Sequence, residues 1–135
     1  MTTTLGIEIR LPVAFEEALR RTREALAAQG FGILTEIDLR KAFKEKLGRD
    51  FRPYVILGAC NPPLAFAAVT ADPAVGILLP CNVAIEAVDD DYSIVRLTDP
   101  EALLASAFNG NSLALRDVAR DAGKRIQRVA ESLGG

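Results

Sequence analysis

Two kinds of apolar spacing alternate along this chain, and their order limits the folds it can adopt. Residues 5–11 alternate between apolar and polar side chains, which is typical of a half-buried strand. Residues 13–29 carry apolar side chains at helical spacing. Further strands are predicted at 31–37, at 54–60 and within 75–88, each separated from the strand before it by a segment with helical signals. The chain therefore predicts an alternation of strands and helices.

The aspartate run Asp89-Asp90-Asp91 separates the strand within 75–88 from another predicted strand at 92–97. A polar run of this kind between two apolar segments is typical of a tight turn, so the two strands form an antiparallel hairpin. The predicted order is β-α-β-α-β-α-β-β-α-α. It favours an α+β fold with a largely antiparallel sheet over a doubly wound parallel one. Because no linker or repeat interrupts it, we expect one domain over residues 1–135.

Several residues mark the predicted ends of the helices. Asp38 and Asn61 stand where an N-cap is expected, and Gly30 and Gly48 stand where a helix ends in the left-handed conformation. The Asn-Gly-Asn sequence at 109–111 predicts a break between the last two helices. The final helix is predicted from one apolar stripe, formed by Leu115, Val118, Ala122, Ile126, Val129 and Leu133.

Histidine is absent from the chain. The chain alone therefore cannot build a Ser-His-Asp triad, a Cys-His dyad, or a zinc, iron or haem site with a histidine ligand. The net charge of −2 and the absence of tryptophan argue against nucleic acid as a partner. No apolar run approaches the roughly 20 residues of a membrane span, and no signal-peptide pattern is visible. We expect a cytoplasmic protein that contacts neither nucleic acid nor membrane.

The two cysteines of the chain each precede an asparagine, in Cys60-Asn61 and Cys81-Asn82. Each pair lies in or at the end of a predicted strand and beside a proline. If these strands are antiparallel neighbours, the two thiols can lie close together. A purely structural interpretation is also open, because free cysteine often packs as a small hydrophobic residue and Asn61 already has a role as a helix cap. Strand alternation places Cys81 on an apolar face, with Leu79, Val83 and Ile85.

The functional interpretation is that both thiols face one cleft. Two thiolates suit a soft ion such as Cu(I), or a reversible dithiol, and they do not suit structural zinc, which takes four ligands. Cys60 also comes just before a predicted helix N-terminus, where the helix dipole is expected to lower the pKa of a thiol. The asparagine amides of Asn61 and Asn82 would then orient a bound ligand.

Glu36 is a second candidate. Alternation places it on the opposite strand face from Phe31, Ile33 and Ile37. A solvated glutamate explains this position. The functional alternative pairs Glu36 with Lys44 or Lys41 at the mouth of a cleft, where the carboxylate and the ammonium group could orient a polar ligand.

Four motifs of the chain carry a resemblance to a known family: Thr35-Glu-Ile-Asp38, the helix end Lys44…Leu47-Gly48, Tyr54…Leu57-Gly-Ala-Cys-Asn-Pro62 and Leu78-Leu-Pro-Cys-Asn-Val83. Through these motifs the chain resembles the bacterial and archaeal family called domain of unknown function 302. The resemblance implies a curved antiparallel sheet with helices on one face, similar to the TATA-binding-protein-like class, and it implies a homodimer. It assigns no activity. It marks as family-type positions Glu36, Lys44, Cys60, Asn61, Pro62, Pro80, Cys81 and Asn82.

Three functions remain open from the sequence. The first is a binding domain that holds a small ligand or a soft metal ion at Cys60, Asn61, Cys81 and Asn82, with Glu36 and Lys44 as further ligand contacts. The second is a thiol redox or persulfide-relay protein. The third is a homodimeric assembly domain without a small-molecule site. The sequence favours binding over catalysis, and it predicts no cofactor other than a soft metal held by the two cysteines.

Overall fold

The computed structural model describes residues 3, 5–108 and 112–134. Its strands are β1 (Gly6–Leu11), β2 (Gly32–Asp38), β3 (Tyr54–Cys60), β4 (Cys81–Asp89) and β5 (Tyr92–Thr98). They form one sheet in the order β1-β5-β4-β3-β2, and every neighbouring pair of strands is antiparallel. The expected α+β class with a largely antiparallel sheet is therefore confirmed.

The helices follow the predicted order, with one addition. A short 3₁₀ helix at Pro73–Leu78 precedes β4 and was not predicted; the Asp72 carboxylate accepts a hydrogen bond from the backbone N–H of Ala74 (3.0 Å) at its start. The predicted break at 109–111 lies outside the described residues. Within the described part of the chain, no helix combines the length and the apolar character needed to cross a bilayer. The α-helices are α1 (Phe15–Ala28), α2 (Leu39–Leu47), α3 (Pro62–Ala71), α4 (Pro100–Phe108) and α5 (Leu113–Ser132).

The predicted helix ends are largely confirmed. The carboxylate of Asp38 accepts a hydrogen bond from the first turn of α2, and the amide oxygen of Asn61 does the same for α3. Gly30 and Gly48 have φ angles of 83° and 64°, which favour glycine. Helix α1 starts two residues later than predicted, after Ala14, whose side chain makes no cap.

Helix α5 packs into two apolar clusters. Its C-terminal half, with Ile126 and Val129 fully buried, joins the cluster between the sheet and α1. Its N-terminal half, with Leu115 and Val118, joins a second cluster formed with α3, α4 and the 3₁₀ helix. All six residues of the predicted stripe are buried. One helix therefore connects the layer on the sheet to the helices that flank it.

Strand β2 departs from simple alternation. A β-bulge at Leu34 shifts the register, so that Ile33 is opposite Ala59 while Thr35 is opposite Gly58. After the bulge, each residue of β2 points to the face opposite to the one that simple alternation predicts. The expectation that Ile33 and Ile37 share a face is therefore wrong, and Ile37 lies on the face opposite to the core.

That face of the sheet, which we call the open face, carries the residues that alternate with the core positions. One row crosses four strands in the order Glu8, Arg96, Ala84 and Ile56. The neighbours of these residues along each strand are core residues, apart from the half-buried Ile7 beside Glu8.

Truncation within α5 tests this packing. We expect Ile126→Ala to lower the free energy of unfolding by about 2–5 kcal/mol, because it leaves a cavity beneath the sheet. Leu113→Ala on the same helix is the control. Leu113 is 72% exposed, so its truncation should change stability by less than about 0.5 kcal/mol. Urea denaturation of both variants measures the difference, and equal effects would contradict the packing described for α5.

Candidate functional site

The register of β3 and β4 brings the two cysteines to the same end of the sheet. Cys60 is the last residue of β3, and Cys81 is the first residue of β4. Ala59, which precedes Cys60, lies directly opposite Cys81. The two strands are antiparallel neighbours, as the thiol hypothesis required.

Both cysteines line one small cavity between the sheet and the helices, which we call the thiol cavity. Its volume is about 50 Å³. Ligand pockets for metabolites are typically about 300–1,000 Å³, whereas a single water needs only about 10–15 Å³. The cavity therefore has room for an ion or a few small atoms. Its other walls are apolar and include Phe31, Leu64, Ala68, Leu104, Val118 and Ala122.

The two thiols are free and half-buried. Burial raises the pKa of the Cys81 thiol, and the nearby Cys60 raises it further because two thiolates repel one another. Cys81 is therefore protonated to a greater extent near neutral pH than an exposed cysteine. Cys60 directly precedes Asn61, the N-cap of α3, as the sequence predicted.

The Asn61 side chain is engaged at both ends of its amide. Its Oδ1 accepts a hydrogen bond from the backbone N–H of Leu64 (3.3 Å), and its Nδ2 donates to the carbonyl oxygen of Gln29 (3.4 Å). The same carbonyl accepts a hydrogen bond from Arg125 in α5 (3.1 Å). Asn61 thus fixes α3, the end of α1 and α5 relative to one another, and it supports a wall of the thiol cavity.

Asn82 lies away from the thiol cavity. It directly follows Cys81 on β4, and consecutive residues of a strand point to opposite faces. Asn82 is exposed and lines a separate hollow on the open face. The second Cys-Asn pair is therefore divided between the two sides of the sheet.

Among the described residues Glu36 pairs with neither Lys44 nor Lys41, so the expected contact with one of these lysines is wrong. The bulge at Leu34 places Glu36 opposite Leu57, on the helix side of the sheet, where it forms an ion pair with Arg23 of α1. Lys44 binds the exposed carboxylate of Asp50 at 3.0 Å. Neither residue lines the thiol cavity.

Gly58 allows the segment before Cys81 to approach the sheet closely. A Cβ atom at this position would lie 2.1 Å from Oγ1 of Thr35 and 2.9 Å from Cγ of Pro80. Any larger residue would therefore displace these two side chains. Pro80 packs in the space that the missing side chain leaves, and it also lines the thiol cavity.

Two features were not predicted from the sequence, one at the thiol cavity and one on the open face. The walls supplied by α4 and α5 depend on helix packing and left no local signal. The second feature is Glu86, which is buried on the open face and forms ion pairs with Arg52 and Arg96. The turn between β4 and β5 sets their register, and this register places Arg96 opposite Ala84, two residues from Glu86 on the same strand face. The register could therefore have suggested the ion pair between Glu86 and Arg96.

Comparison with known proteins places this geometry in a family. The sequence profile described as "Domain of unknown function DUF302" matches residues 7–133. The chain belongs to this family. The resemblance inferred from the Cys-Asn motifs is thereby confirmed.

A DUF302 member with a similar fold is known from a crystal structure, described as an uncharacterized conserved protein from Bacillus stearothermophilus. It is 27% identical to this chain, with a TM-score of 0.82, and the match covers 96% of this chain and 98% of that one. No protein in the curated set matches this DUF302 chain.

The burial of Cys81 predicts slow alkylation. In a Cys60→Ser variant Cys81 is the sole thiol, and we expect it to react with iodoacetamide near neutral pH at least about tenfold more slowly than a free cysteine peptide, because less of it is thiolate and access is restricted. The rate should continue to rise at pH values where the peptide rate has levelled off. The same protein in concentrated guanidinium chloride is the control. Equal rates for the folded and denatured chains would contradict the placement of Cys81.

Proposed function

We propose that this DUF302 protein is a small binding domain that holds a soft metal ion, Cu(I), between the thiolates of Cys60 and Cys81. The observation that carries the proposal is that both thiols line one small apolar cavity. Thiolate is the ligand type that Cu(I) prefers, and two thiolates are sufficient to hold this ion.

The ligand set supports Cu(I) over the commoner zinc. Structural zinc takes four ligands, and the described residues contain no group of three or more His, Cys, Asp or Glu side chains able to hold a metal ion. The size of the cavity supports an ion over a metabolite. The small-ligand version of the hypothesis is thus less well supported at this cavity than the metal version.

Electrostatics at Cys60 also support the proposal. Two thiolates and one Cu(I) ion carry a net charge of −1, which apolar walls stabilise poorly. The N-cap of helix α3, Asn61, directly follows Cys60, and the positive end of a helix dipole stabilises negative charge near the N-terminus of the helix. Cu(I) binds the thiolate form, so a protonated thiol releases its proton as the ion enters. The raised pKa of Cys81 makes affinity increase with pH, since the proton competes with the metal for this sulfur.

Thiol exchange is supported less well. Exchange and persulfide transfer begin with attack by a thiolate, and the raised pKa of Cys81 reduces its thiolate fraction. Metal binding depends less on the thiolate fraction of the free protein, because the metal ion displaces the proton of the Cys81 thiol when it binds.

Competition with a chromophoric Cu(I) chelator under anaerobic, reducing conditions tests the proposal. We expect one equivalent of Cu(I) to bind, with affinity that increases between about pH 6 and pH 8. Cys60→Ser and Cys81→Ser should each weaken binding by at least about a hundredfold, because each removes a direct ligand. Ala67→Ser, at an exposed position of α3, is the matched control and should bind as the native protein does.

Circular dichroism of each variant establishes that the fold is retained. Native-like binding by both folded serine variants would refute a site made of the two thiolates, as would failure of the native protein to compete with the chelator at any pH in this range.

A homodimer is a second candidate, and a specific surface favours it. Phe66 of α3 and Ile77 of the 3₁₀ helix are 76% and 88% exposed. From residue 53 to residue 85 the chain has one charged side chain, Asp72. A largely uncharged apolar surface can pair with a copy of itself without placing many like charges together, and large exposed apolar surfaces commonly mark interfaces.

Replacement of Phe66 tests this second candidate. We expect the native protein to be a dimer at micromolar concentration and Phe66→Glu to be a monomer, because the change places two like charges in the interface. Light scattering after size-exclusion chromatography measures the mass. Leu47→Glu, an equivalent change at the exposed end of α2, should leave the dimer intact. A monomeric native protein would remove the candidate.

A further inference from the structure

A second hollow lies on the open face of the sheet, on the other side of β4 from Cys81. It has a volume of about 380 Å³, within the range of small-molecule sites. It does not depend on the cysteines, so the inference below stands or falls separately from the proposed metal site. The residues that the argument uses are Glu8, Ile56, Asn82, Ala84, Arg96 and Thr98.

The sequence explains why the sheet surface is depressed here. Ala84 lies between Arg96 and Ile56 in the row that crosses the sheet. It is the smallest side chain of that row, and both of its neighbours are long. Ala84 and Ile56 therefore form an apolar floor to the hollow. Such a floor is suited to contact with a planar apolar group.

Ion pairs fix one wall of the hollow. Arg96 donates hydrogen bonds to Glu8 (3.0 Å) and to Glu86 (2.6 Å), and Arg52 also binds Glu86. Burial alone would raise the pKa of Glu86, but its bonds to Arg96 and Arg52 lower it below the usual value, so the carboxylate stays charged. The two charged residues that line the hollow, Arg96 and Glu8, are opposite in sign and are paired with each other. A neutral ligand suits such a wall better than an ion.

The polar group that remains available is the Asn82 amide. Within the residues that the structure describes, the Asn82 side chain makes no hydrogen bond; the bond from Thr98 goes to its backbone oxygen. An asparagine amide presents a donor and an acceptor side by side, and it pairs with a ligand edge that has the complementary arrangement.

We propose that the open face binds a neutral, planar aromatic or heterocyclic molecule with an amide-type donor–acceptor edge. The ring lies on Ala84 and Ile56, and the edge pairs with the amide of Asn82. Arg96, held by its two glutamates, forms the adjoining wall.

NMR titration with benzamide tests the proposal. Benzamide combines a flat ring with an amide edge, and we expect it to shift the backbone amide signals of Ala84, Ile56 and Asn82 with a millimolar dissociation constant. Ala84→Phe should abolish these shifts because the new ring fills the hollow. Asn82→Ala, at an exposed position where truncation leaves no cavity, should weaken binding about fivefold through the lost hydrogen bonds. Ala27→Phe, at an exposed position of α1, is the matched control and should bind as the native protein does.

Three results would overturn the proposal. The first is the absence of shifts at these residues in the native protein. The second is native-like binding by both Asn82→Ala and a folded Ala84→Phe. The third is equal or tighter binding of ethylbenzene or benzoate, since ethylbenzene lacks the amide edge and benzoate is an anion. None of these results bears on Cu(I) binding at the cysteines.

Discussion

The burial of α5 against two apolar clusters is the interaction on which the rest of the molecule depends. Ile126 and Val129 lie in the layer beneath the sheet, and Leu115 and Val118 lie in the cluster with α3 and α4. The thiol cavity lies where these two clusters meet, and Val118 and Ala122 form part of its wall. The position of α5 therefore determines both the volume of the cavity and how far the cysteines are from water.

Strand β4 has a comparable role for the candidate sites. Because its consecutive residues point to opposite faces, Cys81 is directed to the thiol cavity and Asn82 to the hollow on the open face. The chemistry of the two sides differs accordingly. One side offers thiols in a small apolar cavity, and the other offers an amide beside the paired Arg96 and Glu8 over an apolar floor.

Much of the architecture could be predicted because it depends on local patterns. Alternation, helical spacing and the caps at Asp38 and Asn61 each depend on residues a few positions apart, and the aspartate turn requires β4 and β5 to be antiparallel. Prediction was wrong where one extra residue changed the pattern. The bulge at Leu34 changed which face of the sheet the later residues of β2 occupy. Glu36 therefore forms an ion pair with Arg23 instead of Lys44. A bulge depends on the partner strand, which periodicity within one segment does not describe.

The sequence by itself determined the class of fold, the family motifs and the absence of histidine chemistry, because composition and short-range spacing are properties of the chain alone. Only the tertiary structure decided that Cys60 and Cys81 share a cavity of limited volume, that both ends of the Asn61 amide are occupied and that Asn82 faces the other side. These facts depend on how residues distant in the chain pack against one another, and packing is determined by the shapes of all the contacting side chains together.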